Sequence, residues 1–172
     1  MTSRDIQRRL ISDLYRRNFV VPNYTPSGWF ECDVFEITQA GFFREYEIKL
    51  SRSDFFADAD KFKNRWPENW WQNKLPAKVE RKHESLSNGR PHGPCRFYFV
   101  IPNGLVKPEE IPHWAGLIVC GERDGYEKYG PLARLSIHTL KQAPVLHRCK
   151  IDPAVRQQAL ETLYWRFHNL FR

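Results

Sequence analysis

Two strand-like runs, residues 29–37 and 42–50, flank the tripeptide Gln39-Ala40-Gly41, and no other stretch limits the fold as tightly. Three residues ending in glycine suit a hairpin loop whose last position needs a positive φ angle. Such a loop pairs Thr38 with Phe42. Counting outward from that pair sets Asp33 opposite Glu47, with Cβ atoms about 4.5 to 5.5 Å apart. Side chains alternate along a strand, so Glu45, Glu47 and Lys49 share one face while Tyr46, Ile48 and Leu50 take the other.

Two carboxylates in register repel, and a compensating charge is required, either a bound cation or the diagonal neighbour Lys49. A hard divalent ion such as Mg2+ suits the place, because it takes oxygen ligands, keeps several waters and commonly uses only one or two carboxylates. There it polarises a phosphoryl oxygen, lowers the pKa of a coordinated water and offsets charge on the leaving oxygen. Lys49 sits where an ammonium either orients the attacking water or stabilises pentavalent phosphorus. On charges alone, the same face suits an ordinary solvated strand with a cross-strand Glu and Lys pair.

The remaining pattern predicts an α/β domain over residues 1–172, a mixed sheet sandwiched by helices. Ser3 caps a helix with Ile6, Leu10 and Leu14 at helical spacing. Residues 18–21 read as a strand. Ser51 or Ser53 caps a second helix that places Phe55, Ala59 and Phe62 on one side. Residues 97–101 and 115–120 are continuous apolar runs, as central strands covered on both faces would be. Residues 132–140 form a weaker strand candidate. Asp152 and Pro153 start a last helix with Val155, Ala159, Leu163, Phe167 and Leu170 along one side.

Charge is unevenly spread. Of the net +7, six charges fall between Lys61 and Arg96, where nine Lys or Arg stand against three Glu and where Trp66, Trp70 and Trp71 also lie. Lysines and arginines neutralise phosphates and aromatic rings stack on unpaired bases, so this stretch predicts DNA as partner through Lys74, Lys78, Arg81, Lys82, Trp70 and Trp71. The bland alternative is that the tryptophans anchor the segment to the core. No apolar run reaches the roughly 20 residues that span a bilayer, and the first helix is too charged for a secretory signal. A soluble, internal protein is expected. Cys32, Cys95, Cys120 and Cys149 lack the spacing of a zinc knuckle or redox pair and read as reduced thiols.

With Asp33 as first acid and Glu47-Ile48-Lys49 as second half-motif, the chain resembles the PD-(D/E)xK nuclease superfamily. More narrowly, Glu45-Tyr46-Glu47-Ile48-Lys49-Leu50-Ser51-Arg52-Ser53-Asp54-Phe55, followed by Asp58 and Lys61, looks like the MmcB-type DNA-repair nucleases and their phage-borne relatives. The likeness resumes at Arg96-Phe97-Tyr98-Phe99-Val100-Ile101-Pro102, at Ile111-Pro112 and at Ala115-Gly116-Leu117-Ile118.

This resemblance implies a restriction-endonuclease-like core and a Mg2+- or Mn2+-dependent deoxyribonuclease acting in DNA repair, recombination or phage DNA processing. By the same resemblance the protein is cytoplasmic, bacterial or phage-encoded. Asp33, Glu47 and the Ile48 carbonyl hold the metal, and Lys49 assists. Asp13, which reads first as a partly exposed helix charge, and Asp54, Asp58 and Lys61, whose plain reading is pairing along the second helix, are supporting candidates. Glu45 reads first as an exposed strand residue and second as an extra metal or water contact. Two departures stand out. Cys32 replaces the proline often found before the first acid, and the basic Trp-rich insertion at about 64–95 is long enough to break or extend the helix after the motif. The alternative is a catalytically inactive nuclease-fold DNA-binding protein. A homodimer is expected if both strands of a duplex are cut symmetrically.

Overall fold

A computed structural model describes residues 1–65, 78–124 and 130–171. Its elements are α1 (Ser3–Leu14), β1 (Phe19–Tyr24), β2 (Cys32–Ile37), β3 (Phe43–Ile48), α2 (Arg52–Ala57), β4 (Phe62–Arg65), β5 (Lys78–Arg81), α3 (Lys82–Ser87), β6 (Arg96–Pro102), β7 (Ala115–Glu122), α4 (Pro131–Arg134), β8 (Leu135–Lys141) and α5 (Pro153–Asn169). Among the described residues six strands form one sheet in the order β1-β2-β3-β6-β7-β8, and β4 and β5 form a separate two-stranded sheet. The central pairs β3–β6 and β6–β7 are parallel and the outer pairs antiparallel, so the sheet is mixed. With helices against it, this is an α/β architecture consistent with a restriction-endonuclease-like core.

The sheet order follows from hydrophobic patterning. β6 carries an unbroken apolar run because both of its faces are covered. Phe97, Phe99 and Ile101 turn to one core, shared with Phe35, Phe55 and Trp114. Val100 and Tyr98 turn to the other, where Ile6 and Leu10 of α1 pack on Val34, Tyr46 and Ile48. The helix is started by Thr2 rather than Ser3. Thr2 and Asp5 cap each other reciprocally, which Ser3 has no partner to do.

The β2–β3 hairpin has the expected register. Thr38 donates its N–H to the Phe42 carbonyl at 2.9 Å, and Val34 stands opposite Tyr46, which puts Asp33 opposite Glu47 one step further out. Gly41 has φ +83, the left-handed conformation that the last loop position needs.

Three expectations are corrected. The second helix ends at Ala57, a single 3-10 turn over Asp58–Asp60 follows, and Phe62 begins β4 with its ring exposed instead of continuing the buried side. The break turns Asp58 inward to meet Lys49 and Lys61. Residues 132–140 divide into the short helix α4 and the strand β8. In α5, Ala159 is buried and Val155 and Leu163 are packed, but Phe167 and Leu170 are largely in solvent. No helix among the described residues is long and apolar enough to cross a membrane.

Candidate active site

Strand alternation turns Glu45, Glu47 and Lys49 toward the core that holds Phe97 and Phe99, and all three are buried. Glu45 is therefore not the exposed strand residue that its sequence position suggests. It accepts a hydrogen bond from the Trp29 indole N–H at 2.6 Å and pairs with Lys82 Nζ at 2.6 Å. Trp29 sits over Gly93, where a Cβ would meet the indole Cη2 at 2.6 Å, so a residue without a side chain lets the ring reach Glu45.

Lys82 is the largest correction. Expected at the DNA surface, its side chain is fully buried and its ammonium bridges Glu45 and Glu47, the latter at 2.9 Å, with the Phe97 ring 5.2 Å away. Burial opposes its charge, but Glu45, Glu47 and Asp58 outweigh burial and hold its pKa well above the usual lysine value. Glu47 meets two more ammonium groups, Lys49 at 3.1 Å and Lys61 at closer range. These cations overcome desolvation and keep Glu47 below the ordinary carboxylate range.

Asp58, brought in by the 3-10 turn, pairs with Lys49 at 2.8 Å, Lys61 at 2.8 Å and His83 Nε2 at 2.8 Å. Against burial, the His83 hydrogen bond and the ammoniums of Lys82 and Lys49 lower its pKa strongly. Asp54 is exposed and stands 3.5 Å from Lys49. For Lys49, burial favours the neutral amine, yet Glu47 and Asp58 win and raise its pKa. It is an ammonium at neutral pH.

Asp33 differs from Glu47 and Asp58. Its Oδ2 accepts the Ile48 N–H at 2.7 Å, and no ion pair to it occurs among the described residues. Burial and the charge of Glu47 push its pKa up to about 6. Glu45, pushed up by burial in spite of Lys82, also reaches about 6. Besides the exposed Asp54, the cluster holds four acids, Asp33, Glu45, Glu47 and Asp58, against three lysines, Lys49, Lys61 and Lys82, and of these acids Asp33 is the one without an ion pair among the described residues.

The carboxylate and carbonyl oxygens here are donors of the kind a hard divalent ion takes. Among the described residues no group of three or more His, Cys, Asp or Glu is placed to hold a metal by side chains alone. Mg2+ needs only one or two carboxylates with waters, however, and Asp33 is the acid still lacking a cation. Asp33, Glu47 and the Ile48 carbonyl are the residues that would hold it. Lys61, whose side chain is part-exposed, is the most accessible of the three ammonium groups on Glu47.

Asp13 takes no part in the cluster: it is exposed on α1 and paired with Arg9 at 3.1 Å, and α1 covers the opposite face of the sheet. Arg81 is exposed at the end of β5, and Lys78 starts that strand. Trp70, Trp71 and Lys74 lie outside the described residues. Sequence reasoning missed Trp29, His83 and the inward course of Lys82. The one available signal was arithmetic, since four acids need more cations than Lys49 and Lys61 supply.

No protein-family model and no curated protein matches the chain. A solved structure of SPO1766, a protein of unknown function from Silicibacter pomeroyi, is similar in fold, with TM-score 0.52 and 19% identity over 98% of this chain and 85% of that one.

Proposed function

We propose that this protein is a Mg2+- or Mn2+-dependent deoxyribonuclease that hydrolyses phosphodiester bonds, with Asp33, Glu47 and Lys49 as its working groups. The carrying observation is the uncompensated Asp33 facing Glu47, with Lys49 on the same buried face. A bound divalent ion would supply Lewis acidity and a more acidic water. Lys49 supplies fixed positive charge: held protonated by Glu47 and Asp58, it stabilises a phosphorane oxygen or the orientation of the attacking water and takes no proton. Asp58 and His83 hold that ammonium in place from the far side. Lys82 fixes the Glu45 and Glu47 carboxylates, so the strand face is preorganised before substrate arrives.

The substrate class rests on charge, since exposed Arg81 and the excess of basic residues between Lys61 and Arg96 suit a polyanion. DNA repair, recombination or phage DNA processing in a bacterial cytoplasm is the setting this reading implies. A second reading, a nuclease-fold protein that binds DNA without cutting, is favoured by one observation: Glu47 already carries three ammonium groups.

Incubation with Mg2+ or Mn2+ and plasmid, single-stranded, forked and four-way-junction DNA separates the two. Cleavage that Glu47→Ala and Lys49→Ala abolish supports the nuclease. Tight binding with no cleavage transfers the case to the second reading.

A further inference from the structure

One face of α5 is apolar and, among the described residues, uncovered. Val155, Ala159 and Leu163 turn to the core, and Arg166 fastens the helix to β1 by donating to the Pro22 and Asn23 carbonyls. On the outer side Leu160, Tyr164, Phe167 and Phe171 are 42%, 60%, 62% and 75% exposed. Leu160, Tyr164 and Phe167 recur at steps of four and three, the spacing with which one helix meets another along a seam, and Phe171, just past the helix end, sets its ring edge-on to Phe167 with centroids 4.9 Å apart. Gln157 donates to Glu161 at 3.0 Å and holds that carboxylate along the flank. No charged residue falls in the seam itself.

We propose that this seam joins two copies of the chain, their α5 helices packed antiparallel about a two-fold axis. Two properties favour a second copy as the occupant. An apolar, uncharged ridge of this spacing is complementary to itself, which is what an isologous contact requires. The area also suffices. A standard interface covers about 800 Å2 per partner, a little over half of it apolar, or about 450 to 500 Å2. Aromatic side chains of about 150 to 250 Å2 each, well over half exposed at Tyr164, Phe167 and Phe171, supply with Leu160 on the order of 500 Å2. Trp165 and Leu170, also exposed, stand at the edges of the same surface. The pairing requires nothing of the acid cluster.

Sedimentation velocity of the full chain at micromolar concentration tests the proposal. The expected species has twice the 20.5 kDa chain mass. Phe167→Glu would bury an unpaired carboxylate in the middle of the apolar seam and weaken dimerisation by at least ~100-fold, and Tyr164→Ser would weaken it by about tenfold. Both positions are exposed, so both variants should melt as wild type does when diluted to monomer. A monomeric wild type overturns the proposal, as does a dimer that Phe167→Glu and Tyr164→Ser leave intact. Wild type that stays monomeric and binds phospholipid vesicles would give the seam to a lipid surface instead.

Discussion

Asp33 faces Glu47 across the β2–β3 hairpin, yet the two acids are treated oppositely: Glu47 meets three lysines, and among the described residues the Asp33 carboxylate accepts only from the Ile48 N–H. Repulsion from Glu47 reinforces the burial that lifts Asp33 to about 6. The asymmetry leaves Asp33, unlike Glu47, without an ion-pair partner among the described residues.

That asymmetry has a stability consequence. The folded pKa of Asp33, about 6, lies above its ordinary 3.8, so between these values the metal-free folded protein binds a proton more tightly than the unfolded chain does. Its contribution to stability therefore falls as pH rises from about 4 to about 6, and stays lost above. Asp33→Asn keeps an acceptor for Ile48 and removes the charge. At pH 8 without metal it should be more stable by about 1 to 3 kcal/mol, melting a few degrees higher, and at pH 4 the two proteins should coincide. Thermal melting at both pH values checks this; equal melting at pH 8 would show that Asp33 is not the uncompensated acid.

Lys82 should behave as a keystone of the cluster. Lys82→Met leaves the buried Glu45 carboxylate without its ammonium and Glu47 with only Lys49 and Lys61, and should cost about 3 to 5 kcal/mol. Adding Glu45→Gln removes one of those charges and should restore at least about 1 kcal/mol. Denaturant unfolding of the two variants measures both terms. A Lys82→Met protein as stable as wild type would place the ammonium elsewhere.

The hairpin was legible because its information is local: a three-residue loop ending in Gly41 fixes the register, and alternation fixes the face. The parallel centre was legible for a similar reason, since 97–101 and 115–120 are apolar without interruption. Lys82 was not. It lies in a run that also holds Arg81, with nothing local to separate the exposed cation from the buried one. What separates them is tertiary, because α3 begins against the sheet and its first side chain enters the cluster. Glu45 was misread for the same cause, as its burial depends on Trp29 and Lys82 arriving from distant positions. Phe62 departed from helical periodicity because pairing of β4 with β5 overrode it.

The contrast between Arg81 and Lys82 gives a DNA-binding test. Arg81→Gln should lower the slope of log affinity against log salt by about 1, the loss of one phosphate contact. Lys82→Met, assayed where it is folded, should leave the slope unchanged. Filter binding or fluorescence anisotropy over a salt series reads both; an unchanged slope for Arg81→Gln would move the DNA contact away from β5.

Calorimetric titration of Mn2+ into the metal-free protein at pH 8, for wild type, Asp33→Asn and Glu47→Gln, bears most directly on the metal site. Wild type should bind the ion, more weakly as pH is lowered through about 6, and each variant should lose at least ~10-fold in affinity. Wild type that takes up no Mn2+, or variants that bind it as tightly as wild type, would contradict a metal site between Asp33 and Glu47.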